Sequence, residues 1–349
     1  RLDQPGFKAH RLASIDCILG LADSLLTVKS EIFLKDSSSL LHLNASLPLL
    51  PSDGWGIDMM GTEVARVDLA GTGVNLDGIA FILDSSSIAS GIGDVKLNMY
   101  SDQGAWALGG TVQIKDGVYR NRKQRISINR LRLKAALSGT VSDPLLEYDV
   151  FCGPTRVQLA RADSLYFKGY SSLDTLKVTG NKFWFPQNGS VEVNAVVPLK
   201  NMDSLMIQPG FQLDFGINRF PLVNLSPFLM ENMVRSGMVN GKGTIRVTGG
   251  RPVLSGNIKM DDGQFAIEDM SPVIGPVDAQ LVMRGDSVIV NQLSGKCGKG
   301  KIWGDGFIIW SSSGLEQMKI DVTGKDVLLD FRDLAAIRIQ NGNIRFSNK

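Results

Sequence analysis

Residues Leu108-Gly-Gly-Thr-Val-Gln-Ile-Lys-Asp-Gly-Val-Tyr119 are answered further along the chain by Leu254-Ser-Gly-Asn-Ile-Lys-Met-Asp-Asp-Gly-Gln-Phe265. Glycines coincide at 110 and 256 and at 117 and 263, an Asp-Gly pair recurs, and each copy ends on an aromatic residue. The numbers differ by 146, and the likeness runs without a gap from Ser90-Gly91 to Tyr119 and from Ser236-Gly237 to Phe265. Within each copy apolar and polar residues alternate, the period of a strand with one apolar and one wet face. A chain that repeats so long a unit builds an extended surface rather than a single centre.

A second block has nearly the same phase. Ser39-Leu-Leu-His-Leu-Asn-Ala-Ser-Leu-Pro-Leu49 matches Gly189-Ser-Val-Glu-Val-Asn-Ala-Val-Val-Pro-Leu199 at an offset of 150. An Asp-Ser/Thr element precedes each block, at Asp23-Ser-Leu25 and Asp174-Thr-Leu176, and a third copy stands at Asp286-Ser-Val288. The repeats divide the chain into a partial unit over 1–89, a unit over 90–235 and an incomplete one over 236–349. The expected fold is all-β with minimal helix: an elongated, strongly curved antiparallel or mixed sheet, a trough of β-taco type, continuous rather than split into globules.

Composition agrees. Among 349 residues there are 38 glycines and only 7% aromatics, as in many strands joined by tight turns. Lys plus Arg number 37 against 35 acids, so no global field draws the chain to nucleic acid, and none is expected as a partner. The densest basic stretch is Arg120, Arg122, Lys123, Arg125, Arg130, Arg132 and Lys134; it reads as a basic turn followed by a solvated strand face, or as a contact for anionic headgroups. Cys17, Cys152 and Cys297 are far apart and form no Cys-x-x-Cys pair, which argues against a metal or redox site. With two histidines, no His-Glu-x-x-His and no Gly-x-Ser-x-Gly, catalytic chemistry is poorly supplied; no enzyme activity and no cofactor are expected. No run of about 18 uncharged apolar residues occurs, and the chain begins at Arg1, so it is expected to be a piece of a longer protein whose export signal and anchor lie outside it.

Local signals give further expectations. In Ile126-Ser-Ile128-Asn-Arg130-Leu131-Arg-Leu133 the apolar parity switches at Asn129-Arg130, which demands a bulge or a turn. Gly295-Lys-Cys-Gly-Lys-Gly300 and the Asp-Gly pairs at 116–117 and 262–263 read as hairpin turns. Leu225 to Asn232 is the best helical candidate, with Ser226 as cap and Pro227 at the first position, and Asp330 to Ala336 is the second.

The run Phe220-Pro-Leu-Val-Asn-Leu-Ser-Pro-Phe-Leu229, then Gly241-x-Gly243-Thr-Ile-Arg-Val-Thr-Gly249, Pro252-x-Leu-Ser-Gly256-Asn-Ile-Lys-Met-Asp-Asp-Gly263 and Asp286-Ser-Val-Ile-Val resembles the C-terminal region of the TamB family, within the wider AsmA-like group. The match covers about 205 to 346. From 23 to 204 the pattern is looser, with Gln103-Gly104-Ala105-Trp106 where Gly249, Gly250, Arg251 and Pro252 would stand. The resemblance implies a periplasmic protein of a diderm bacterium, anchored to the inner membrane through segments outside this chain. It also implies a role in outer-membrane biogenesis: moving phospholipid between membranes, assisting an outer-membrane barrel-assembly partner in protein insertion, or both. On that reading Val112, Ile114, Val191, Val193, Phe211, Leu213, Phe215, Ile258 and Met260 line a groove for acyl chains. The rival reading of the same alternation is an adhesin-like or autotransporter-like passenger with a closed core.

Overall fold

The computed structural model describes residues 2–3, 6–7, 10–11, 14–33, 40–51, 57–59, 65–78, 87–102, 105–158, 160–199, 208–228, 233–267, 270–311, 314–331 and 335–347. The chain is nearly all β, with no α-helix among these residues and no closed barrel. It forms two units, Arg1–Thr155 with Tyr166–Leu173, and Arg156–Leu165 with Asp174–Lys349.

The long strands of the first unit are β1 (Ser14–Ala22), β2 (Leu25–Phe33), β3 (Leu40–Pro51), β4 (Ala65–Asn75), β5 (Ser87–Asp102), β6 (Ala105–Asn121), β7 (Ile126–Gly139) and β8 (Pro144–Cys152). Each pairs antiparallel with the next. The second unit holds β9 (Thr175–Phe185), β10 (Gly189–Pro198), β11 (Gln212–Pro221), β12 (Val234–Thr248), β13 (Arg251–Phe265), β14 (Ile274–Gly285), β15 (Ser287–Cys297), β16 (Gly300–Ser311), β17 (Gly314–Phe331) and β18 (Ala335–Ser347). It too is an antiparallel meander throughout. Of the antiparallel and mixed alternatives, these strands take the antiparallel one, because short turns connect neighbours directly and no crossover is needed.

The hairpin turn expected at Gly295 to Gly300 is met: Gly298 at φ 61° turns β15 into β16 with Cys297 opposite Gly300. Asp23 and Ser24, both at positive φ, form the tight turn between β1 and β2. At the parity switch Arg130 has φ 50°, and the pairing of β6 with β7 slips between Gly117 opposite Leu131 and Tyr119 opposite Ile128. This is the bulge that the sequence demanded.

The Asp-Gly pairs are not hairpin turns. Asp116-Gly117 lies inside β6 and Asp262-Gly263 inside β13, where each marks a bulge: the register shifts between Lys115 and Val118, and between Met260 and Gly263. Asp at φ 50° or 53° followed by glycine suits a tight turn and a bulge equally. The choice falls to the bulge because both strands have ladder partners on each side, so the chain continues straight on. The facing glycine makes room: a Cβ on Gly91 would lie 2.8 Å from Gly117 Cα, and one on Gly237 lies 2.8 Å from Gly263 Cα, with φ +120° and +125°. The two copies of the sequence repeat thus share one backbone device.

Helical sequence is corrected as well. A 3-10 turn at Leu222–Phe228 stands three residues ahead of the expected start; 229–232 and the side chain of Ser226 lie outside the described residues. The second candidate fails at both ends, since Asp330 pairs with Ala336 and Phe331 with Ala335 as parts of β17 and β18. Local helix preference there yields to ladder bonding, as in any short segment flanked by strands that already pair. Gln103 and Gly104 lie outside the described residues.

A further pattern runs across the strands. Four of the bulges that take three steps on one strand against two on the next share a further feature, at Gly71 to Val74, Val178 to Asn181, Ile217 to Phe220 and Met260 to Gly263. Each contains a residue at positive φ whose amide leaves the ladder: Gly73, Gly180, Arg219 and Asp262. That amide donates to a side-chain oxygen directly opposite, namely Asp94 at 2.9 Å, Asn194 at 2.6 Å, Asn240 at 2.8 Å and Asp278 at 3.0 Å. Gly73 and Arg219, and likewise Asp94 and Asn240, are again 146 residues apart. Three of these bulges fall on the alternate strands β9, β11 and β13; bulges so repeated bend a sheet, and the capping oxygens meet the need of the amides that the bend releases.

Replacing Gly237 by alanine adds a Cβ at 2.8 Å from backbone in a left-handed conformation, so a loss of about 2–3 kcal/mol is expected in urea unfolding. Gly249→Ala, at φ +58° with nothing within 4 Å, is expected to lose only about 1 kcal/mol. Asp94 accepts the Gly73 amide, which holds its carboxyl below the ordinary range, assisted by Lys115. A lowered folded-state value means a contribution complete above the ordinary carboxylate pKa and lost as pH falls through the lowered one. The acid destabilisation of the wild type should therefore be blunted in Asp94→Asn, which keeps an acceptor as Asn240 does, whereas Asp94→Ala should be weaker already at pH 7, as read by thermal melts over a pH series.

Candidate functional site

Residues directly opposite in an antiparallel pair project to the same side, so the registers trace rows across each sheet. In the second unit one row runs Phe183, Val191, Ile217, Gly241, Ile258 and Leu281, then through Val290, Gly306 and Ile320 to Phe346. A parallel row carries Val193, Phe215, Gly243, Gly256, Met283, Val288 and Ile308. Leu213 sits between Ala195 and Ile245, and Met260 between Val239 and Ala279, on the same face. Phe211 keeps the parity of Leu213, and its carbonyl accepts the Val247 amide at 3.0 Å.

The first unit repeats the arrangement. Ile15, Ile32, Leu41, Gly71, Val95, Val112, Ala135 and Tyr148 form one row, and Val74, Gly93, Ile114, Leu133 and Val150 another. Seven of the nine expected lining residues therefore share one face of the strands of the second unit, and Val112 and Ile114 share one face in the first. These rows carry no carboxylate, ammonium or guanidinium group.

Charges sit on the opposite face and pair there. Lys259 meets Asp261 at 2.6 Å, Arg345 and Lys319 share Asp321 at 2.6 and 3.4 Å, Lys115 meets Asp94 at 3.5 Å, and Lys182 pairs with Glu192. The Arg345 bond, with help from Lys319, keeps the Asp321 carboxyl below its ordinary range. Such exposed pairs add little stability, but they hold the wet face wet.

Burial separates the lining into two kinds. Of the nine residues only Phe211 is buried, at 8% exposure, and the other eight are half-buried. Ile114, Ile258 and Met260 touch small packed clusters: Ile114 joins Leu76, Ala89 and Tyr119, while Ile258 and Met260 join Leu222, Val234, Val239 and Phe265. Leu76 and Leu222, Ile114 and Met260, and Tyr119 and Phe265 are each 146 apart, so in both units a 3-10 turn lays its leucine on the same place of the repeat. Val112, Val191, Val193, Leu213 and Phe215 lie outside these clusters.

Glycines shape the floor. A Cβ on Gly243 would stand 2.2 Å from Met283 Cε and 2.9 Å from Phe215 Cζ, and one on Gly256 2.5 Å from Gly243 Cα. Phe215 and Met283 thus lean over two bare backbones from both sides, and in the first unit Leu97 leans over Gly110 in the same way. Met283, Leu281, Val288, Ile308 and Ile320 belong to the face but were not among the expected lining residues; the alternation in Val277-Asp-Ala279-Gln-Leu281 and Met318-Lys-Ile320-Asp-Val322 is the signal that finds Leu281 and Ile320.

Gly243→Ala should cost about 1–3 kcal/mol through crowding against Met283, Phe215 and the Ser255 carbonyl. Gly216→Ala, on the other face of the same region with nothing within 4 Å, should be neutral or stabilising by about 0.5–1 kcal/mol. Urea midpoints of the two variants check the difference.

No protein-family model matches this sequence, no curated protein is significantly similar to it, and no solved structure matches it.

Proposed function

We propose that the apolar faces are surfaces along which lipid acyl chains are shielded from water, and that the chain is a segment of a periplasmic protein of outer-membrane biogenesis. The observation that carries this reading is a row pattern free of charged groups across many successive strands whose apolar residues stay half-buried. A sandwich core would bury such residues almost completely. Moving a diacyl lipid through water exposes roughly thirty CH2 groups at about 0.8 kcal/mol each, on the order of 25 kcal/mol. A continuous apolar face lowers that barrier without any titrating residue.

The resemblance of residues 205–346 to the TamB family supplies the rest of the proposal: an inner-membrane anchor outside this chain, an outer-membrane barrel-assembly partner, and service in phospholipid transport or outer-membrane protein assembly. The wet face with its paired charges suits an aqueous compartment.

Native mass spectrometry of the purified chain should reveal co-purified phospholipid. Val193→Asp, placed outside the packed clusters, should fold with a loss of about 1–3 kcal/mol and lose the lipid, while Lys259→Gln on the wet face should keep both. Wild-type protein without lipid, together with a Val193→Asp variant that does not fold, would identify a closed structural core instead and defeat the proposal.

A further inference from the structure

The hairpin between β6 and β7 carries Arg120, Arg122, Lys123, Arg125 and Arg130, five cations within eleven residues, all exposed. None of them forms an ion pair among the described residues. Charges so placed repel one another, and a fold that needed only a turn would not select them.

The repeat tests that statement within one molecule. At positions 146 further on stand Ala266, Glu268, Asp269, Ser271 and Pro276, and β13 nevertheless pairs with β14. The strand pair therefore forms without these cations, and they are an addition particular to the first unit.

The tip is also held in place. Asn121, 2% exposed, donates from Nδ2 to Ser87 Oγ at 3.1 Å and accepts the Gln124 amide on Oδ1 at 2.8 Å, and Ser87 in turn bonds the Tyr119 hydroxyl at 3.0 Å. The Arg125 amide closes the turn on the Arg122 carbonyl at 3.4 Å. A buried polar triad thus fixes the backbone from which the cations project, which lowers the ordering cost of binding.

We infer that this hairpin docks the first unit onto an anionic phospholipid surface. Its tip, Arg122-Lys123-Gln124-Arg125, has no apolar or aromatic side chain, so it lacks the centre of a specific protein interface and the stacking platform of a nucleic-acid site. A projecting turn with dispersed cations matches a laterally continuous field of phosphodiester headgroups. The inference does not depend on the acyl-chain reading, which concerns the apolar rows.

The full chain is sedimented with vesicles of phosphatidylcholine alone or mixed with phosphatidylglycerol. Binding is expected only to the mixed vesicles and should fall steeply with salt. The triple variant R122Q/K123Q/R125Q should lose on the order of 100-fold in partition, about fivefold per cation. K296Q/K299Q/K301Q removes the same charge from exposed lysines of the second unit and should stay within about twofold of wild type. Equal losses in the two triple variants, binding to phosphatidylcholine alone, or retention of duplex DNA or polyglutamate with no binding to mixed vesicles would each overturn the inference.

Discussion

Four bulges in these strands rest on one interaction, the donation of a bulge amide to an Asp or Asn oxygen on the facing strand. An antiparallel ladder satisfies every backbone amide only while its strands stay in step, and a bulge releases one from the ladder at each strand it crosses. Gly73 with Asp94, Gly180 with Asn194, Arg219 with Asn240 and Asp262 with Asp278 give the released amide a new acceptor each time. Without that acceptor, repeated bulges would leave a line of unsatisfied donors, and a flatter ladder would be preferred. The paired glycines at 91 and 117, and at 237 and 263, complete the device by letting two backbones approach where any side chain would hold them apart.

Bending has a consequence for the apolar rows. Side chains that converge on one side of a sheet need small neighbours, and Gly110, Gly243 and Gly256 supply them at the places where Leu97, Phe215 and Met283 lean inwards. Apolar residues then shelter one another along the face, and most of the expected lining residues are half-buried. The 3-10 turns that deliver Leu76 and Leu222 are local plugs: among the described residues Ile114 and Tyr119 pack against the cluster of one, and Ile217, Phe220, Ile258, Met260 and Phe265 against that of the other.

The two faces divide the chemistry. The apolar rows hold no carboxylate, ammonium or guanidinium group, while the wet face carries ion pairs of small energetic weight whose role is solvation. Against that background the basic hairpin at 120–130 stands apart: its cations form no ion pair among the described residues and are not repeated 146 residues on, and its backbone is fixed by a buried asparagine.

Alternation, the offset of 146 and the scarcity of helix were enough to establish from sequence a nearly all-β chain whose strands have one apolar face, while the antiparallel pairing and the half-burial of that face came from the structure. The first depends on local periodicity, which a strand converts directly into sidedness. The parity break at Asn129-Arg130 was legible for the same reason. Whether Asp116-Gly117 and Asp262-Gly263 end a strand or kink it was not, because both outcomes use the same dihedral angles and only the presence of partner strands on either side decides between them. Helix preference at Asp330 to Ala336 likewise yielded to pairing of β17 with β18. The choice of Asp94, Asn194, Asn240 and Asp278 as caps, and of Leu76 and Leu222 as plugs, could be settled only by register, since each contact joins residues on different strands whose relative positions no local pattern encodes.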